Sequence, residues 1–148
     1  MIRSATLADL DALADLEAAC FGNGAWPVAS LRGELERGFI LLDDAFRAYA
    51  IGLPIGTECE LLRIGSHPSA RRQGLGQKLL DAFHTESRAR GITRTLLEVR
   101  DDNRQARTLY ETAGYTEEGR RRGYYPARSG EPRVDAVLYG LRLRSRSG

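Results

Sequence analysis

Arg71-Arg72-Gln73-Gly74-Leu75-Gly76-Gln77 puts two guanidinium groups and two glycines into one short stretch. Ahead of it, Leu61-Leu62-Arg63-Ile64-Gly65-Ser66 is a short, largely apolar run, and His67-Pro68 closes that run because proline cannot continue a central strand. Behind it, Leu75, Leu79, Leu80 and Phe83 recur at helical spacing. The arginines and glycines therefore fall where a helix begins, with its first N–H groups unpaired and its positive dipole end exposed. Gly74 and Gly76 lack a Cβ, so a ligand can approach the backbone closely. The amides of Arg72 to Gln77, joined by the Arg71 and Arg72 side chains, form a receptor for a multiply charged anion, and a pyrophosphate matches it. Two other phosphate loops are excluded. No Gly-x-x-x-x-Gly-Lys-Ser/Thr string occurs, and position 79 is Leu where a dinucleotide fingerprint requires a third glycine.

Two side chains further along could move protons. In the strand expected over Thr93–Val99, Leu97 and Val99 face one side while Leu96 and Glu98 face the other. A carboxylate there can serve as general base toward an α-amine, whose reference pKa is about 7.7–8.0. The alternative is an edge-facing acid paired with Arg100 or Arg94. Tyr110 offers an O–H donor with a reference pKa near 10. It also shares a helix stripe with Ala106, Leu109 and Ala113, which reads as core. Two cysteines, Cys20 and Cys59, are too few for a disulfide framework or a zinc site, and with only His67 and His84 beside them no metal site or Cys/His nucleophile pair is expected. Both thiols read as reduced and buried, His67 as a turn residue and His84 as part of an exposed helix face.

The elements that must hold these groups follow in order. Ile2 to Ala5 reads as a strand, and Thr6 with Asp9 resembles a helix start. Leu7, Leu10, Leu13 and Leu16 give a helix stripe ending near Ala19 or Cys20, broken by Gly22-Asn23-Gly24. Trp26-Pro27 opens a short helix that runs to Gly38, with Trp26 read as a core anchor. Phe39–Leu42 and Phe46–Leu53 read as antiparallel strands, followed by the central strand before the anion turn. Gly91 stops the long helix, Asn103 or Asp102 caps the next, and Gly114 ends it. Tyr115 begins another strand and Val134–Leu143 forms the last. The order β-α-α-β-β-β-α-β-α-β-β predicts an α/β chain around a mixed sheet.

Several of these segments resemble a known family. Arg71-x-x-Gly74-x-Gly76 is similar to the R/Q-x-x-G-x-G/A signature of the GNAT acetyltransferase superfamily, whose turn grips the pyrophosphate of acetyl-CoA. Leu97-Glu98-Val99-Arg100, Asn103, Ala106, Leu109-Tyr110-Glu111 and Gly114-Tyr115 resemble the second half of that domain. Arg121-Arg122-Gly123-Tyr124-Tyr125-Pro126 and Asp135-Ala136 resemble segments of its RimI branch, the ribosomal protein N-terminal alanine acetyltransferases. The resemblance spans residues 56–140; residues 1–55 agree in element order and in Trp26 beside a proline.

The resemblance implies a single GNAT acyl-CoA N-acyltransferase domain over residues 1–148, a mixed central sheet with helices on both faces, and a basic tail over 142–148. It implies acetyl-CoA as cosubstrate, no metal, Glu98 as general base and Tyr110 as general acid. Coenzyme contacts are expected from Ile64, Gly65, Ser66, Arg71, Arg72, Gln73, Gly74, Leu75, Gly76, Gln77 and Asn103. In that family the central strand splays from its neighbour, which would free the backbone of Ile64, Gly65 and Ser66. The implied acceptor is a protein N-terminus, the alanine of small-subunit ribosomal protein eighteen, in the cytoplasm. Three features depart from the pattern. Gly65-Ser66 replaces a small-apolar residue and Val, the Tyr125–Asp135 loop is slightly longer, and Val134-Asp135 carries one acid where two are usual.

Composition agrees with an ordinary globular chain. It has 148 residues, 42% of them hydrophobic, a formal net charge of +2, and no apolar run long enough to cross a bilayer. No membrane or direct nucleic-acid partner is expected. The clusters Arg120-Arg121-Arg122 and Arg142, Arg144, Arg146 read as a solvated face, or as a surface for an RNA-associated partner. Glu34, Glu36, Glu58, Glu60 and Asp135 are candidates to meet a basic acceptor. Other readings are acetylation of other N-termini, of lysines or of small amines such as polyamines or antibiotics, a non-catalytic acyl-CoA sensor, and a basic RNA-associated module. Tyr124-Tyr125-Pro126 favours peptides, intact Glu98 and Tyr110 oppose the sensor, and the lack of interleaved aromatics opposes RNA binding.

Overall fold

The computed structural model describes residues 1–127 and 129–144, so Arg146 of the basic tail lies outside the described residues. The strands are β1 (Ile2–Ser4), β2 (Phe39–Asp43), β3 (Ala48–Ile55), β4 (Glu58–Ser66), β5 (Arg94–Arg100), β6 (Thr116–Tyr125) and β7 (Val134–Arg142). The helices are α1 (Leu10–Phe21), α2 (Val28–Arg37), α3 (Leu75–Ala89) and α4 (Arg104–Thr112). One sheet runs in the order β1-β2-β3-β4-β5-β7-β6. Only β4 and β5 pair in parallel, as expected where a helix crosses over between them.

Strand alternation explains why helices cover both faces. In β2 and β3, Phe39, Leu41, Ala48 and Ala50 pack with Leu75, Leu79 and Phe83 of α3. Their neighbours Ile40, Leu42, Tyr49 and Ile51 pack with Leu10, Leu13 and Leu16 of α1 and Leu31 of α2. Every β2 residue is buried, so the strand reads as a continuous apolar run. The α1/α2 layer stops over β4, and the same side of β5, β7 and β6 is left partly open.

Two local readings are corrected. Leu7 sits in a 3₁₀ turn, 58% exposed, and α1 starts only at Leu10. Steps of three from Leu7 to Leu16 drift around a helix of 3.6 residues per turn, so one end of the stripe must leave the core. Asp9 takes the Thr6 N–H at 2.8 Å and the Arg3 guanidinium at 2.8 Å, and these bonds hold its carboxyl well below the usual range. His84 is the second correction, for it is buried rather than exposed. Its Nε2 meets the Tyr115 hydroxyl at 2.8 Å, and that hydroxyl meets Thr95 Oγ1 at 2.8 Å. A polar contact invisible in the helix pattern thus turns this residue inward. His67 is the turn residue expected, its Nδ1 accepting the Ser69 N–H at 3.1 Å.

Burial pushes the His84 pKa down to about 4. Below about pH 6.5 the unfolded chain takes up a proton that the folded chain refuses, so stability is lost as pH falls toward 4. Urea unfolding at pH 5 should give about 2 kcal/mol less stability from this group than at pH 7. Burial and the nearby Glu98 raise the Glu60 pKa, which acts in the opposite direction. The difference between wild type and His84→Gln isolates the histidine, and equal pH slopes for the two would refute the assignment.

Candidate active site

β4 and β5 pair only at Glu58↔Arg94, Cys59↔Thr95 and Glu60↔Leu96. Beyond Glu60, β4 follows β3 and, beyond Leu96, β5 follows β7, so the two strands part. A bulge accompanies the parting. Ile51 pairs with Arg63 and Gly52 with Leu61, which leaves Leu62 as the extra residue and bends β4. The bulge also changes the parity of the strand. Leu61 and Ile64 both pack toward α3, while Arg63 turns toward α1.

The gap opens onto a cavity of about 470 Å³ lined by Ile64, Gly65 and Ser66 of β4, by Arg71, Arg72, Gly74, Leu75, Gly76 and Gln77, and by Asn103. Sequence reasoning named all of these. Gln73 was also named but does not line the cavity. Reasoning missed Cys20 and Phe21 at the end of α1, and Gln105, Ala106, Thr108 and Leu109 on α4. The i, i+3, i+4 spacing of Gln105, Thr108 and Leu109 was visible, but nothing in it said which face meets α3. Cys20 is only half-buried, so the expectation of a buried thiol holds for Cys59 alone.

The turn before α3 has the geometry expected of an anion receptor. Arg72 and Gly74 adopt positive φ, 66° and 75°, and alternate with residues in ordinary conformations. No side chain caps α3. Its first helical bond runs from Lys78 N to Gly74 O, leaving the amides of Leu75, Gly76 and Gln77 without helical acceptors. Among the described residues neither Arg71 nor Arg72 has an acidic partner. Gly76 faces α4, where a Cβ would lie 3.3 Å from Leu109 Cδ2. Asn103 caps α4, its Oδ1 accepting the Ala106 N–H at 3.2 Å, so its amide donors stay free for a ligand. A diphosphate fits these groups by charge and by donor count.

Glu98 and Tyr110 lie on opposite faces of β5. Tyr110 is 5% exposed and packs with Tyr115 and Tyr139, ring centroids 5.9 and 6.3 Å away, in the core that also takes Leu97 and Val99. Burial alone pushes its pKa up to about 12. Glu98 faces the open side and pairs through Oε1 with Arg121 Nε of β6 at 2.9 Å. It pairs with neither Arg94 nor Arg100, the partners read from the sequence. Arg94 goes to Glu118 and Glu58, and Arg100 to Asp102. Same-face residues along one strand are too far apart to compete with a side chain reaching across from β6.

Comparison with known proteins agrees with this geometry. Residues 10–115 match the acetyltransferase (GNAT) family. The chain belongs to that family. It is 39% identical over 114 residues to the [ribosomal protein bS18]-alanine N-acetyltransferase of Escherichia coli K12, covering 76% of each chain. The crystal structure of the ribosomal-protein-S18-alanine N-acetyltransferase from Escherichia coli superposes with a TM-score of 0.86 at 33% identity, over 100% of this chain and 96% of that one. A putative acetyltransferase from Salmonella typhimurium, solved with acetyl-CoA, shares the fold at a TM-score of 0.79 and 19% identity, over 100% of this chain and 96% of that one. The chain is therefore a GNAT acetyltransferase with the α/β architecture expected of one. Among the described residues no helix is long and apolar enough to cross a membrane.

If the turn binds the coenzyme diphosphate, a large side chain at Gly76 must fill that space. Gly76→Trp should weaken coenzyme A binding at least about tenfold by calorimetry, with the far-UV spectrum unchanged. Unaltered affinity in a folded variant would show the turn has another use.

Proposed function

We propose that this enzyme transfers the acetyl group of acetyl-CoA to the N-terminal α-amine of a protein that begins with alanine, a ribosomal protein of the S18 type. One observation carries the reading. The gap where β4 leaves β5 opens beside the anion-binding turn, and Glu98 and Tyr110 lie on the two faces of β5 past its last pairing with β4, although neither lines the cavity itself. The 39% identity to an alanine N-acetyltransferase supports the acceptor class.

The chemistry requires little more. The neutral amine attacks the thioester carbonyl, a C–N bond forms and the C–S bond breaks. The proton lost by nitrogen goes to Glu98, directly or through water. The departing sulfur takes its proton from Tyr110, whose hydroxyl stays protonated at every working pH. Glu98 then gives its proton to solvent and Tyr110 regains one from it, so that net one amide and one thiol form. The backbone N–H groups of Ile64 and Ser66, turned away from β3, can stabilise charge developing on the carbonyl oxygen.

The acceptor surface is the part of the sheet that α1 and α2 leave open. Tyr124 is 51% exposed, and Arg121 lies 5.5 Å from its ring centroid. Of the acids named for a basic acceptor, Glu34 is held by Arg37, Glu58 by Arg94, and Asp135 by the Gly123 N–H and Arg120. Glu60, the register partner of Leu96, is the acid nearest the base, and its pKa is raised by burial and by Glu98, while Glu36 is exposed on α2. Arg120 and Arg121 are tied to Glu117, Asp101 and Glu98, so two of the three consecutive arginines are neutralised by acids.

Glu98→Gln and Tyr110→Phe should each lower kcat by about 10²–10⁴ while coenzyme affinity changes little; wild-type turnover in either would remove its role. A panel of peptides differing in the first residue, with lysine-only peptides and polyamines as controls, tests the acceptor. Labelling confined to the α-amine of an alanine-first peptide is expected. Preferred labelling of lysine or polyamine would overturn the acceptor class.

A further inference from the structure

Glu17 of α1 is fully buried, and its carboxylate collects donors from three segments. They are the Trp26 N–H at 2.6 Å, the Tyr49 hydroxyl of β3 and the Arg63 guanidinium of β4. Arg63 lies between two rings, 3.9 Å from the Phe21 centroid and 4.3 Å from that of Trp26. A deep ion pair seldom stabilises more than apolar residues of the same volume would. Its value here is what it holds in place.

What it holds is a wall of the cavity. Tyr49 is the register partner of Gly65. A Cβ on Gly65 would lie 3.1 Å from Tyr49 Cε1, 3.1 Å from Phe21 Cε2 and 3.4 Å from Cys20 Sγ. Cys20, Phe21 and Gly65 line the cavity, and none of them belongs to the anion-binding turn. Gly65 sits on the stretch of β4 that has left β5, where a thioester must lie for Glu98 and Tyr110 to flank it.

We infer that Glu17 is a positioning residue for acyl-chain length: through Tyr49 and Arg63 it presses the Cys20–Phe21–Gly65 wall against the acyl group, admitting acetyl and refusing propionyl. The inference rests on the acetyl-transfer reading above. A closed apolar wall discriminates one methylene by about 10–200-fold. Glu17→Gln removes the charge, leaves Arg63 without its counter-ion, and loosens the wall.

The test compares kcat/KM for acetyl-CoA and propionyl-CoA, with coenzyme A affinity and Tm measured alongside. Glu17→Gln should raise the propionyl-to-acetyl ratio about tenfold or more, with coenzyme affinity within about twofold because the diphosphate turn is untouched. The double variant Glu17→Gln/Arg63→Met removes both charges, so Tm should recover while the ratio stays raised. A ratio that returns with Tm, or one that never moves, overturns the inference. A wild-type enzyme that transfers no acyl group to any amine refutes the acetyl-transfer reading instead, and the wild-type control separates the two failures.

Discussion

The active site depends on a hydrogen-bonding failure at the centre of the sheet. β4 and β5 share three register pairs and then separate. In most sheets, unpaired backbone in a central strand would be costly. Here the lost bonds are localised by a bulge, which bends β4 away and leaves β5 with β7. The cost becomes useful because the freed donors and acceptors face a cavity rather than a packed core.

Everything else in the site is arranged around that opening. α3 begins beside it with an N-terminus that no side chain caps and with Arg71 and Arg72, which supply positive potential. α4 closes the far side, and its approach is set by the absence of a side chain at Gly76. The pleat of β5 then sends Glu98 to the open face and keeps Tyr110 with the core residues Leu97 and Val99. One face holds Glu98 against Arg121 on the open sheet. The other buries Tyr110 among the rings of Tyr115 and Tyr139. The buried Glu17 network performs a related task on the near side, tying α1, β3 and β4 to one carboxylate.

Charge on the acceptor side is more evenly balanced than a count of arginines suggests. Arg94, Arg100 and Arg121 all have carboxylate partners, while Arg120 pairs on the α4 side of the sheet. The sheet face left open by α1 and α2 is thus a mosaic of satisfied pairs with exposed Tyr124 among them. Such a surface suits a polar peptide better than the continuous phosphate track of a nucleic acid.

Much of this was written in local chemistry. Gly and Pro punctuation, strand alternation and the Arg71-x-x-Gly74-x-Gly76 turn determined the element order, the two-faced core and the uncapped turn before α3, because each is decided by residues within a few positions of one another. Contacts between distant segments were decided only by the tertiary structure. Glu98 finds Arg121 and not Arg94 or Arg100, because β6 reaches it across β7. His84 turns inward because Tyr115, far along the chain, offers it a hydroxyl. Glu17 meets Arg63 because the β4 bulge turns that side chain toward α1. Those three partnerships depend on register, bulge and crossover, which no local pattern encodes.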